Sequence, residues 1–402
     1  MTPTRTAPAT AGGRSADEQR RTVLRTARDV ADDLAADVIG RDRAGGQPAD
    51  ETARLREAGL LAALTPPGPG HGTDWRTGCA VIREVATADS SVGDVLARHY
   101  AHTWSGRFYA SRPQAAALEE ESAREQWLWT GAVRTPGPHD DAHGPDLTLR
   151  PRGTGYALNG RRAVDTAVAV ADQIVLDALC AATGDVLVVR IPAGAPGVTV
   201  EPARDRLGQR VAGAGEVLLD RVTVAPGQVL GRRPHDEESA PPFTALAEPA
   251  LRLALCHVAL GNAGGALAEV RDLSRGGHGR RLPGTDPDLL MTYGELASAV
   301  QTATAVVDRA TEVTAQALET GALLDADEAA GAAALVATAE TVTSRAALHI
   351  TTRVLELADA PGLDRFWRNA RALSAHRPSA HRLRAIGEHY LNGPHRALAV
   401  FG

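Results

Sequence analysis

The sequence predicts an α+β protein built in three consecutive parts: helices, then a β-domain, then a bundle of long helices. Three observations carry this. Apolar residues recur at helical spacing from Ser15 to about residue 124. Between 125 and about 236 the pattern changes to short β-branched and apolar runs separated by Gly, Pro and Asn. From Phe243 onward Ala-, Leu-, Val- and Glu-rich stretches return to the helical period. The division is therefore a disordered tail at 1–14, an all-α domain at 15–124, an antiparallel β-domain at 125–236 and a helical-bundle domain at 237–402.

The tail is rich in Thr, Ala, Pro and Gly and has no apolar segment, so it is not a signal peptide. Ser15 and Glu18 have capping-box spacing, followed by Val23, Ala27, Val30 and Leu34 on one helical face. A second helix fits Ala49 to Ala58 and stops at Gly59. Trp75 to Ala88 and Ser90 to Ala110 read as two longer helices, with Ser90 or Ser91 as the cap of the second. In the middle part, runs such as Gln173-Ile174-Val175-Leu176 and Val186-Leu187-Val188-Val189 read as strands, and Asn159-Gly160 reads as a hairpin turn. The last part has long stretches at Glu248 to Ser274, Asp286 to Leu318 and Asp325 to Ala358, long enough for an up-down four-helix bundle. Gly261-Asn262-Ala263-Gly264-Gly265 follows no strand, so it is a close-packing run and not a dinucleotide fingerprint. Gly276-Gly277-His278-Gly279 reads as a loop at the site entrance.

Composition narrows function. The chain has 402 residues, 44% of them hydrophobic, and a formal charge of -6. That mild acidity gives no footprint for nucleic acid or an anionic membrane. No run of about 18 apolar residues suggests a membrane span. There is no lysine, so Schiff-base, P-loop-lysine and Ser-Lys chemistries are excluded. Cys79, Cys180 and Cys256 are scattered without a CxxC pair, which implies reduced thiols, a cytoplasmic setting and no metal.

Four segments in order carry a resemblance. They are Asn159-Gly160-Arg161-Arg162-Ala163-Val164-Asp165-Thr166, Asp205 to Gly215 with its Gly208-Gln209-Arg210, Asp220-Arg221-Val222-Thr223-Val224, and Asp364 to His376 with its Trp367-Arg368-Asn369-Ala370-Arg371. Together they resemble the acyl-CoA dehydrogenase superfamily over nearly the whole ordered chain. Ordinary dehydrogenases of that superfamily commonly carry a catalytic glutamate in the loop after the last run. Here the loop holds His376, Arg377 and Pro378 and no carboxylate. Within the superfamily the chain is similar to the flavin-dependent monooxygenase branch, which includes dibenzothiophene-type monooxygenases and nitrososynthases.

That resemblance implies a two-component enzyme. Reduced FMN, with FADH2 as the alternative, comes from a separate flavin reductase, O2 adds at flavin C4a, and a small organic molecule is oxygenated. It also implies a homotetramer. His376 and His99 are the implied catalytic pair, because imidazoles give and take protons near neutral pH and suit a flavin peroxide better than a dehydrogenase base. His102, three residues beyond His99, shares its helical face and can replace or assist it. Thr166 matches a position whose hydroxyl meets the flavin near N5. Arg275, Arg368 and Arg371 are the phosphate candidates, since arginine must do what lysine cannot. Trp367 is a packing anchor.

Several positions depart from the pattern. Val164 replaces an aromatic, Asp165 stands where a small or apolar residue is usual, and Ala212 and Ala214 replace Thr and Ser. Thr130-Gly131-Ala132-Val133-Arg134 lacks the Asn common in the oxygenases. Two alternatives therefore stand beside the monooxygenase. One is a divergent FAD-dependent acyl-thioester dehydrogenase with Glu248 as its base. The other is a flavin-free binding or assembly protein on the same scaffold.

Overall fold

Carboxylates, not hydroxyls, start the two helices that carry the site. In the computed structural model of the chain, which describes residues 11–65, 72–133, 146–234, 240–276, 286–375 and 379–393, Asp74 accepts from the Thr77 N–H to open α4 (Trp75–Ala88). Asp89 accepts from the Ser91 and Val92 N–H groups to open α5 (Ser90–Thr103). Ser90 is thus the first helical residue and not the cap. The short Asp89 side chain, held in an extended backbone conformation, reaches both orphan donors at once. The single helix expected to run on to Ala110 is two: α5 ends at Trp104 and α6 spans Ser105–Tyr109.

The other N-terminal helices are α1 (Ala11–Ala35), α2 (Val38–Ala44), α3 (Ala49–Glu57) and α7 (Arg112–Glu125). The first runs through Ser15, so that residue does not cap it. All residues of α5 are buried, because α4, α9 and β1 pack around it.

Eight strands follow: β1 (Trp129–Ala132), β2 (Leu147–Arg152), β3 (Gly155–Val164), β4 (Gln173–Cys180), β5 (Val186–Pro192), β6 (Val198–Pro202), β7 (Gly215–Val224) and β8 (Val229–Arg232). They form one sheet in the order β6-β7-β3-β2-β4-β5-β8, with β1 also on β4. The sheet is mixed and not purely antiparallel: β1 and β2 both run parallel to β4, β1 along Gln173–Leu176 and β2 at Leu179 and Cys180. Asn159-Gly160 does not turn the chain. It sits inside β3 at a register shift, where Gly160 has φ 130° and Asn159 Oδ1 accepts from the Arg221 N–H. A Cβ at Gly160 would lie 1.9 Å from the Asp146 carbonyl oxygen, so the bulge requires glycine. The hairpin turn is at Gly153, directly after β2, with φ 61°.

The C-terminal part holds a short α8 (Pro242–Ala245), then α9 (Ala247–Gly276), α10 (Pro287–Thr320), α11 (Ala326–Leu357), α12 (Asp364–Ser374) and α13 (Ser379–Asn392). The three long helices pack on one another, α13 lies along α11, and α12 bridges α9 and α11. By length and composition α8–α9 would suffice to cross a membrane. Its apolar residues Leu253, Val258 and Val270 are instead fully buried against α4, α5, α10 and α11. Gly261 lets α9 approach α4 closely, since a Cβ there would meet the Arg83 carbonyl at 2.7 Å. That is the close-packing role expected of the run.

Candidate functional site

Thr166 lies just beyond β3 and is 1% exposed, yet its Oγ1 has no hydrogen-bond partner among the described residues. Its backbone is tightly held. The Thr130 hydroxyl of β1 donates to the Thr166 carbonyl at 2.6 Å. The next two N–H groups, of Ala167 and Val168, donate to the carbonyls of Ala212 and Gly213 at 2.8 and 2.9 Å. Ala212, where a hydroxylated residue was expected, therefore takes part through its backbone. A buried hydroxyl left unpaired on a fixed backbone is free to meet a ligand or a water, although the buried hydroxyls of Thr52, Thr314 and Thr343, away from this segment, are unpaired too.

The helix α5 crosses behind Thr166. His99 does not face it as an acid or base. Its Nε2–H donates to the Leu61 carbonyl at 2.8 Å and its Nδ1 accepts from the Trp129 N–H at 3.0 Å. Both ring nitrogens are taken, which fixes the neutral Nε2–H tautomer, and burial lowers its pKa to about 4. His99 ties α5 to β1 and to the turn at Leu60–Ala62. His102 is the other α5 histidine: it lies near the Gly131 backbone beside Thr130, and burial and then the nearby Arg98 charge lower its pKa to about 3. One turn back, Arg98 pairs with Asp94 at 2.9 Å on its own helix and with Asp165 at 2.8 Å on the chain leading into Thr166. The departure at Asp165 is thus matched by a charge on the facing helix.

The two strongest sequence runs meet in space. Gly208 packs against α12 so closely that a Cβ would lie 2.1 Å from the Arg368 carbonyl oxygen. The Gln209 N–H donates to Asn369 Oδ1 at 2.7 Å, and Arg368 donates to the Leu207 carbonyl at 3.2 Å. Arg368 is committed further, to Asp42 of α2 and to Asp364 at 2.9 Å. It is a structural clamp between the three parts and has no free face for a phosphate. Arg371 is exposed and forms no ion pair among the described residues, and Arg275 is exposed at the end of α9. These two remain able to meet an anion. A small recess, with a volume of about 10 Å³ and room for about one water, lies at this junction between Asp42, Asp89, Ser90, Asn262 and Asn369; Thr166 is not among its walls. His376 and the loop at 277–285 lie outside the described residues. Glu248, the substitute base of the dehydrogenase alternative, accepts from Arg252 at 2.6 Å.

Comparison with known proteins gives a consistent answer. The family described as "Acyl-CoA dehydrogenase, C-terminal domain" matches residues 253–380. The dibenzothiophene monooxygenase of Rhodococcus erythropolis is 30% identical over 397 residues, covering 91% of this chain and 92% of the relative. The chain belongs to the acyl-CoA dehydrogenase-like flavin monooxygenase family. The probable FMNH2-dependent monooxygenase SfnC of Pseudomonas putida is 28% identical, covering 92% of this chain and 95% of the relative. FMN-bound TdsC from Paenibacillus sp. A11-2 superposes with a TM-score of 0.85 at 28% identity, over 94% of this chain and all of that one (100%).

The chemistry of Thr166 is compatible with a flavin: its hydroxyl, without a partner among the described residues, is suited to a polar atom of the ring. Thr130, Arg98, Asp165 and Asn369 were missed as site-shaping residues. The signal available for Asp165 and Arg98 was only their opposite charge.

Proposed function

We propose that this monooxygenase receives reduced FMN from a separate flavin reductase and uses O2 to oxygenate a small organic molecule at carbon, nitrogen or sulfur. The observation that carries the reading is the Thr166 hydroxyl, buried and without a protein partner, on a backbone pinned at both flanks. Bound reduced flavin supplies the electrons that activate O2. Thr166 donates to the ring edge. His102, neutral at pH 7, and the His376 implied by the resemblance hold and move the proton that the reduction of O2 requires. Arg371 and Arg275 neutralise the flavin phosphate. The FMN-bound relative and the FMNH2-dependent relative support FMN over FAD.

A homotetramer, as in relatives of this superfamily, and a cytoplasmic location belong to the same proposal. Support for association comes from apolar side chains left in solvent on α10 and α13: Leu290 53%, Met291 72%, Tyr390 86% and Leu391 79% exposed.

The test is anaerobic titration of the purified chain with oxidised and reduced FMN and FAD, followed by oxygen with a panel of thioether, sulfinate, amine and aromatic compounds. Tight binding of reduced FMN, weaker binding of the oxidised form, and a product one oxygen atom heavier are expected. A chain that binds flavin in neither redox state overturns the reading.

A further inference from the structure

We infer that Arg98 is a positioning residue: the triad of buried Asp94 and Arg98 with half-exposed Asp165 braces the Asp165–Thr166–Ala167 segment so that the Thr166 hydroxyl is preset for flavin. The inference rests on the flavin reading above.

Arg98 is 6% exposed and Asp94 is 2% exposed. The Nε to Asp94 Oδ1 contact of 2.9 Å fixes the guanidinium plane against its own helix. With that plane fixed, Nη1 meets Asp165 Oδ2 at 2.8 Å from across the junction between the N-terminal helices and the sheet. A planar fork held at one end places the second carboxylate to within a hydrogen-bond length, which a flexible ammonium would not do. The braced segment is under strain. Ala167 has φ 55°, in the left-handed region that an alanine adopts only when its surroundings impose it. Those surroundings are the Arg206 guanidinium on the Asp165 carbonyl at 3.3 Å, Thr130 on the Thr166 carbonyl and Ala212 on the Ala167 N–H. All three act on the backbone. Arg98 supplies the side-chain tie on Asp165, on the site-facing side of α5 that also carries His102. The tie explains why an aspartate stands directly before the flavin-contacting threonine.

Asp165→Asn is the decisive variant. It leaves the buried Arg98–Asp94 pair intact, and the Asp165 side chain is 45% exposed, so folding is retained. Reduced-FMN affinity, measured by anaerobic titration, is expected to fall about ten-fold with the urea midpoint unchanged. Arg98→Lys keeps the charge and loses the fork, and is expected to weaken reduced-FMN binding to a similar degree. Combining the two should cost no more than either alone, because both remove one tie. Wild-type affinity in Asp165→Asn, or losses that simply multiply in the double variant, overturns the brace while leaving the monooxygenase reading standing. Failure of the unaltered protein to bind reduced flavin overturns both.

Discussion

At the scale of the residue, the contrast between His99 and Thr166 is instructive. Both are site residues implied by the resemblance, but both ring nitrogens of His99 have protein partners, whereas the Thr166 hydroxyl has none among the described residues. His99→Ala removes hydrogen bonds to Leu61 and Trp129 and leaves a buried gap. We expect it to lower unfolding free energy by about 3 kcal/mol in urea melts. Thr166→Val keeps shape and loses a hydroxyl that nothing in the protein uses. Its stability should stay within about 0.5 kcal/mol of wild type while reduced-FMN affinity drops roughly five-fold. A large stability loss in Thr166→Val would show that its hydroxyl has a structural partner. The sequence could not separate these histidines and threonines by face. Every residue of α5 is buried, so no polar side of that helix reveals where the site lies.

At the scale of the element, the sheet and helices were legible wherever a period or a capping residue was strong. The three long C-terminal helices fall within a few residues of the stretches read from the sequence. What escaped was long-range or was decided between adjacent candidates. Asp89 and Ser90 are both capping types, and only the extended backbone of Asp89 settles the register. Parallel pairing of β1 and β2 to β4 leaves no mark in a strand-by-strand alternation. The contact between Gly208 and α12 likewise joins two runs 160 positions apart at Gln209 and Asn369. Gly208→Ala should force the loop off α12, costing about 1–3 kcal/mol in denaturant melts; an unchanged midpoint would mean that the approach is looser than 2.1 Å implies.

At the scale of the whole molecule, buried neutral histidines set the response to acid. Burial lowers the pKa of His99 to about 4 and of His102 to about 3, and burial with Arg83 lowers His257, whose ring joins α4 to α10 through Arg83 and Thr311. A histidine with a depressed folded pKa contributes stability that is fully present above its unfolded pKa of about 6.5 and is lost as pH falls toward the folded value. Each should cost about 1.4 kcal/mol per pH unit across that window. Asp89, whose pKa burial raises, opposes this in part. Urea melts at pH 7.5, 6 and 5 should therefore show stability falling steadily with acid; a flat profile would mean that these rings are already charged in the folded protein.

The clamp at Arg368, reaching Asp42 on α2, Leu207 before the glutamine loop and Asp364 on its own helix, has a consequence for traffic. A monooxygenase that borrows its flavin must admit and release a bulky guest at every cycle. Here the three parts are joined at the clamp by the Arg368 side chain, through two ion pairs and a bond to the Leu207 carbonyl, so at this point they do not part like jaws. On the proposed reading of a borrowed flavin, the frame tied by this clamp stands assembled before the guest arrives.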